Sequence, residues 1–221
     1  MIKKLPKWVE YGAFLLSVLA GSINVVGLMG FEHQAISHVS GTVSRLGESF
    51  VDSTSSSLHL LFILLSFLLG AIISGLAIEN TTLKIGRNYS FLLLIETFLL
   101  LFSLYSLNNN LSLGHYFASA ACGVQNALFT TYSGAILRTT HLTGIFTDLG
   151  LMIGQGLKSK SLDKRKLILL LLIIMGFLTG GSIGAALYLE VQFNAILFPA
   201  ILSFILSIAY WIYSKSKKCI T

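Results

Sequence analysis

The chain has 221 residues, of which 54% are hydrophobic and 11% charged. A soluble domain has about a quarter charged residues, so this composition excludes a water-soluble protein. It predicts an all-α integral membrane protein. The expected partner is the lipid bilayer. The net charge is +6, but the basic residues lie at the ends of apolar segments, where they orient a membrane protein and form no nucleic-acid surface.

Six apolar segments are long enough to cross about 30 Å of hydrocarbon as helices. In chain order they are Tyr11–Gly30, Leu58–Ile78, Tyr89–Leu107, Leu113–Tyr132, Leu167–Leu189 and Phe193–Tyr213. Two more polar segments, 37–50 and 140–157, predict short re-entrant or broken helices. Irregular backbone at membrane depth is tolerated only where protein or a water-filled cavity surrounds it.

The basic residues distinguish two topologies. With six spans, both termini face the cytoplasm and only Arg45 of the 15 basic residues lies outside. If both polar segments also cross, eight spans result, and Lys84, Arg87 and Arg138 move outside. The positive-inside rule favours six spans, in a bacterial cytoplasmic (inner) membrane.

The two halves of the chain, 1–110 and 111–221, resemble each other. Ser37-His38-Val39-Ser40-Gly41 is matched, 103 residues later, by Thr140-His141-Leu142-Thr143-Gly144. Weaker matches join Gly21–Asn24 to Gly123–Asn126, and Phe67–Gly70 to Phe177–Gly180. Three spans per half is an odd number, which predicts two inverted repeats; the eight-span alternative gives parallel repeats.

The repeated motif [Ser/Thr]-His-x-[Ser/Thr]-Gly predicts a binding site. We expect Ser40 and Thr143 to cap two half-helices whose positive dipole ends attract a polar or anionic solute. Glycine at the next position would let the backbone approach closely. The alternative is that these residues, and the amides in spans one and four, only join helices. The expected solute-binding residues are Asn24, His38, Ser40, Gly41, Gln125, Asn126, His141, Thr143 and Gly144.

Three charged residues are candidates for further roles. Arg45 and Asp148 occupy equivalent positions one turn beyond the motifs and are candidates for gating or charge selection. Glu96 is an acid deep in an apolar span and is the candidate proton carrier. The sequence predicts no enzyme, no cofactor and no metal site, because no catalytic or metal-ligand spacing occurs. Small-xxx-small patterns at Gly70 and Gly180 predict close helix packing, within the chain or in a homodimer.

The chain resembles the YoaK-like family of bacterial inner-membrane proteins, a domain-of-unknown-function family with six helices. The likeness runs from Val18 to Trp211 and is strongest in Gly123-Val124-Gln125-Asn126-Ala127, Arg138-Thr139-Thr140 and Leu142-Thr143-Gly144. The family typically has an acid at the position of Asn24 and an asparagine at that of Thr42. The resemblance implies location and helix count but supplies no activity.

These features together predict a small transporter or channel for a small polar solute, with anions the class that helix N-termini favour. The solute would bind where the two repeats meet. The rival prediction is a membrane scaffold or sensor that transports nothing. A solute-sized polar cavity between the two motifs would favour transport, and dry, close-packed motifs would favour the rival.

Overall fold

A computed structural model describes residues 8–30, 36–51, 57–78, 88–132, 140–159 and 163–218. Within these ranges the chain is helical and contains no strand, which confirms the all-α class. The α-helices are α1 (Trp8–Gly30), α2 (Val39–Ser49), α3 (Ser57–Ala77), α4 (Asn88–Asn108), α5 (Leu113–Tyr132), α6 (Leu142–Ser159), α7 (Lys164–Val191) and α8 (Leu197–Lys218). Lys84, Arg87 and Arg138, which would distinguish six spans from eight, lie outside the described residues.

Apolar composition identifies a multi-pass membrane protein. In the described part of the chain, the stretches long and apolar enough to cross a membrane are Glu10–Gly30, Ser57–Ala77, Asn88–Asn108 and Lys164–Lys215. The last contains both α7 and α8, which a 3-10 helix at Gln192–Ile196 separates. The sixth predicted span was expected to begin at Phe193, but α8 begins four residues later. The fourth predicted span, α5, is less apolar because it carries histidine and two amides, so its crossing stays a prediction.

Helices α4 and α8 pack antiparallel. Tyr89 near the start of α4 stacks on Tyr210 near the end of α8, with ring centroids 6.1 Å apart. At the other end, Asn108 Nδ2 donates to Asn194 Oδ1, which precedes α8, at 2.9 Å. The hydroxyl groups of Ser90 and Ser207 each donate to the other residue's carbonyl, at 2.8 and 2.7 Å. This reciprocal pair is what a local twofold relation between the two helices would produce.

Helices α1 and α7 pack parallel through small residues. Their first turns are joined by Arg165 Nε and Glu10 Oε1, 3.3 Å apart. Midway, a Cβ at Gly21 would overlap the carbonyl oxygen of Phe177, and one at Gly180 would overlap that of Val18. The absence of side chains at these two positions therefore permits backbone-to-backbone contact.

Helices α3 and α5 repeat this contact. A Cβ at Gly123 of α5 would overlap the carbonyl oxygen of Phe67, and one at Gly70 of α3 would overlap that of Ala120. Ser119 Oγ also donates to the Ile63 carbonyl, at 2.8 Å. The sequence matches thus correspond to matching contacts, and the predicted close packing at Gly70 and Gly180 occurs within the chain.

Candidate functional site

Two equivalent hydrogen bonds hold the starts of α2 and α6. Ser37 Oγ donates to Asn24 Oδ1 at 2.7 Å, and Thr140 Oγ1 donates to Asn126 Oδ1 at 3.0 Å. Each asparagine lies six residues before the end of its helix, α1 or α5. At a rise of 1.5 Å per residue, each short helix therefore starts about 9 Å inside the end of the preceding long helix.

Helix α2 follows α3 over half of its length. Its first turn shares a cavity with Phe67, ten residues into α3. Its last residue, Ser49, donates its hydroxyl to that of Ser57, the first residue of α3, at 3.0 Å. Eleven helical residues extend about 16 Å, close to the distance between those two levels of α3. Helix α2 thus runs antiparallel to the first half of α3.

Helix α6 packs against the beginning of α7 through apolar residues and an ion pair. Ile145 and Met152 are buried in a cluster that includes Leu169 and Ile173 of α7. Asp148 Oδ2 lies 3.1 Å from Lys166 Nζ at the start of α7. The charge of Asp148, expected at a mouth of the pathway, is therefore compensated by Lys166.

Both motifs line one cavity of about 350 Å³. Its walls are Ser37–Ser40 of the first motif, Thr140–Thr143 of the second, Phe67 of α3 and Asn126 of α5. Among these described lining residues there is no carboxylate, lysine or arginine. Because Asn126 accepts the Thr140 proton through Oδ1, its Nδ2 group is the end that can donate to a bound molecule. The cavity is consequently rich in hydrogen-bond donors.

The short helices begin two residues before the positions that Ser40 and Thr143 as caps would give. Helix α2 starts at Val39, with His38 in the N-cap position and no side-chain cap. The His38 carbonyl accepts from the N–H groups of Gly41 and Thr42, at 3.0 and 3.3 Å. The prediction of Ser40 as a cap is therefore wrong: its N–H and that of Val39 belong to the first turn, which lacks intrahelical acceptors.

The second motif departs from the expectation in the same way. Helix α6 starts at Leu142, and the His141 carbonyl accepts from Ile145 N–H at 3.2 Å. Thr143 is thus inside the first turn and is not the cap that the sequence predicted. In both motifs the residue that precedes the helix is the histidine.

The motif glycines are not sites of close backbone packing. A Cβ at Gly41 would meet no described atom within 4 Å, and the nearest atoms to one at Gly144 belong to the His141 ring, at 3.5 Å. The expectation of a close backbone approach at these positions is wrong for the described residues, and a close approach of a ligand stays a prediction. The glycines that packing requires lie in the long helices instead.

The two histidines act on each other electrostatically. The His38 ring packs edge-on against Phe177, with centroids 5.9 Å apart. Burial lowers the pKa of His38, and a positive charge on His141 lowers it further. The neutral imidazole of His38 is therefore favoured at neutral pH when the cavity holds no charge.

The remaining predicted residues lie away from the cavity walls. Asn24 is buried, and its Oδ1 accepts the hydroxyl proton of Ser37. Gln125 is fully buried; its Nε2 donates to the Leu16 carbonyl at 2.6 Å, and its Oε1 has no hydrogen-bond partner among the described residues. Arg45 lies on α2 nearly two turns beyond His38. Asn24 and Gln125 thus position helices and do not line the site.

Glu96 is fully buried between α4 and α8. Its Oε2 lies 3.1 Å from Ser203 Oγ, which also donates to the Leu93 carbonyl at 2.9 Å, and in the described part of the chain its Oε1 has no hydrogen-bond partner. A hydroxyl has one proton, so a carboxylate here would have at most a shared hydrogen bond.

The family of the chain follows from a match over most of its length. Residues 12–209 match the family described as Protein of unknown function (DUF1275). The chain belongs to this family. No curated protein and no solved structure matches it. The match runs from α1 to α8 and so includes both motifs and the cavity.

This DUF1275 protein also has a polar cluster that sequence analysis missed. His59 Nε2 lies 3.0 Å from His115 Nδ1, and His59 Nδ1 lies 2.9 Å from Tyr116 Oη. Neither histidine has an equivalent in the other repeat, so the sequence carried no signal for them. Ser37 and Thr140 were also missed as site residues, although both belong to the repeated motif. In the described residues, no group of three or more His, Cys, Asp or Glu could hold a metal ion.

Proposed function

We propose that this protein is a small membrane transporter or channel that binds a small polar, preferentially anionic, solute between two inverted repeats. The observation that carries the proposal is that both copies of the motif line one cavity. Residues 103 positions apart in the chain, His38 and His141 among them, share its walls. We propose no enzymatic activity for it, and a homodimer stays a prediction.

The directions of the helices support inverted repeats. Sequence equivalence pairs α1 with α5 and α4 with α8. Parallel repeats would give the members of each pair the same direction. Instead α4 and α8 are antiparallel, as the Tyr89–Tyr210 and Asn108–Asn194 contacts require. This favours six spans with α2 and α6 as re-entrant helices and both termini in the cytoplasm, in the bacterial inner membrane that the YoaK-like resemblance implies.

The chemistry of the cavity supports an anion. Two helix N-termini contribute N–H groups and a partial positive charge of about 0.5 each. Hydroxyl, amide and imidazole groups add donors, and the described lining has no carboxylate to repel an anion. A cavity of about 350 Å³ also lies within the usual size range of small-molecule sites. A scaffold would have no need of such a space, and this argues against the rival function.

Ligand-induced stabilisation of the purified protein tests the proposal. A ligand that binds only the folded state stabilises it by about 2.7 kcal/mol at a hundredfold excess over its Kd. We expect at least one member of a library of small anions, amino acids and nucleobase-sized solutes to raise the melting temperature. The shift should be lost in His38→Ala and in His141→Ala, but retained in His115→Ala, a matched histidine outside the cavity.

Two results would contradict the proposal. A stabilising ligand whose effect survives both cavity substitutions binds elsewhere. A wide library without any stabilising member would favour the scaffold or sensor.

A further inference from the structure

We infer that the cavity binds its anion together with one proton, which the His38–His141 pair takes up. This inference rests on the proposed function and deepens it, because it assigns both the substrate class and the coupling ion. The substrate class is the small monovalent anions, and the coupled ion is H⁺. The bound anion and the protonated imidazole would together carry no net charge.

The described lining of the cavity gives the His38–His141 pair no carboxylate, lysine or arginine as a neighbour. His38 and His141 are the titratable residues in the described lining of the cavity. Helices α3 and α5 contribute Phe67 and Asn126 there, and α7 places Phe177 against the His38 ring.

The charged groups on the two short helices lie further along them. Helix α2 carries Arg45 and Glu48 in its later turns, and Asp148 of α6 is paired with Lys166 of α7. No carboxylate in the described lining could therefore compete for the proton.

An anion bound in this cavity exchanges part of its water shell for protein groups. The lost hydration costs free energy unless a countercharge compensates it. The two helix dipoles supply only partial charges. A proton on either imidazole would supply a full charge beside the anion. A second proton is disfavoured, because charge on His141 acts against charge on His38 across the cavity.

The sign of the pH dependence follows from the protonation of the His38 imidazole. In the empty cavity, burial and the neighbouring imidazole lower the pKa of His38. A bound anion stabilises the charged imidazole and raises that pKa again. Between the two pKa values, binding takes up a proton, so affinity rises as pH falls. Linkage limits the change to tenfold in Kd per pH unit for one proton, and the dependence ends below the pKa of the empty cavity.

The experiment uses anions that do not themselves titrate. Nitrate, formate and chloride remain ionised between pH 5.5 and 8, so any proton taken up must reside on the protein. Purified full-length protein would be titrated with their sodium salts at constant ionic strength. Binding would be measured by thermal shift at each pH. Proton uptake would be measured with an indicator dye in weakly buffered solution.

We expect the Kd of at least one of these anions to rise by up to tenfold per pH unit above the pKa of His38 in the empty cavity. Between the pKa of the imidazole in the empty cavity and its pKa with the anion bound, proton uptake should approach one per bound anion. The double variant His38→Gln/His141→Gln keeps neutral hydrogen-bonding groups and should lose the uptake. His115→Gln should retain it. If the double variant fails to fold, the single variants His38→Gln and Glu96→Gln locate the proton: the uptake should be lost in the first and retained in the second.

The outcomes separate the inference from the function on which it rests. Anion binding that is independent of pH and releases or takes up no proton would overturn the inference and leave the proposed function standing. Uptake that survives the double substitution but disappears in Glu96→Gln would assign the proton to Glu96 and also overturn it. Failure of the whole anion panel to bind would remove the anionic substrate and the inference with it.

Discussion

Asn24 and Asn126 show how a single amide can place a helix end inside an apolar bundle. Each accepts one hydroxyl proton, from Ser37 or Thr140, and so holds the residue that precedes a motif histidine. A buried polar group left without a partner costs about 1–3 kcal/mol, which makes these two contacts specific for one position of the chain. The residues needed for the site are thus partly ones that never touch its contents.

Removal of either hydroxyl tests this role. Thr140→Val keeps the side-chain volume but leaves Asn126 Oδ1 without its donor, and Ser37→Ala does the same to Asn24. We expect Ser37→Ala to lower the free energy of unfolding by about 1–3 kcal/mol, measured by denaturation in detergent. Thr140→Val should lower it by less, because Asn126 lines the cavity and water can replace the lost donor. Thr147→Val is the control, because its exposed hydroxyl bonds only the Thr143 carbonyl of its own helix. Loss in one variant but not in the other would contradict the equivalence of the two contacts.

The long helices contact each other through backbone where glycine allows it. The α1–α7 and α3–α5 contacts use the same sequence positions, and this gives the bundle two copies of one interface. Lipid competes for apolar side chains as well as another helix does, so close van der Waals contact at small residues supplies the association. The short helices α2 and α6 have no such glycine contact and depend on hydrogen bonds and on apolar residues such as Ile145.

Alanine at the interface glycines should separate these helices. We expect Gly180→Ala and Gly123→Ala each to destabilise the protein by about 1–3 kcal/mol, since the added Cβ overlaps a backbone oxygen. Gly41→Ala is the matched control: its Cβ meets no described atom within 4 Å, and alanine is favoured over glycine in a helix. The measurement is the melting temperature in one detergent. Equal losses in all three variants would contradict the packing assignment.

At the scale of the whole molecule, the two ends of the bundle carry different groups. Gly30 lies against Tyr188 and Phe193, and Asn108 bonds Asn194, so α1, α4 and α7 end on the same side. The opposite end has the ion pair of Glu10 with Arg165 and that of Asp148 with Lys166. In the proposed topology the ion-paired end faces the cytoplasm.

Accessibility of single cysteines tests this topology. In a background with Cys122→Ser and Cys219→Ser, Asn109→Cys should react with a membrane-impermeant thiol reagent in intact cells. Lys164→Cys should react only after permeabilisation, because six spans place these exposed positions on opposite sides. Labelling of both from the same side would favour eight spans and parallel repeats.

The amino-acid sequence by itself determined the helices, the repeat and the two motifs. These are local signals: apolar length and a recurrent spacing are visible without knowledge of any contact. The predicted spans and the two short polar segments therefore agree with helices of the structure to within three residues, apart from both ends of α8.

Only the tertiary structure decided which side chains face the cavity. Successive residues of an α-helix point about 100° apart, so Gln125 joins α1 while its neighbour Asn126 lines the site. The same holds for charges: Asp148 is paired because α7 brings Lys166 beside it, a contact that no spacing within α6 could indicate. Rotation of a helix is set by its neighbours in the bundle, and the sequence of one helix does not contain those neighbours.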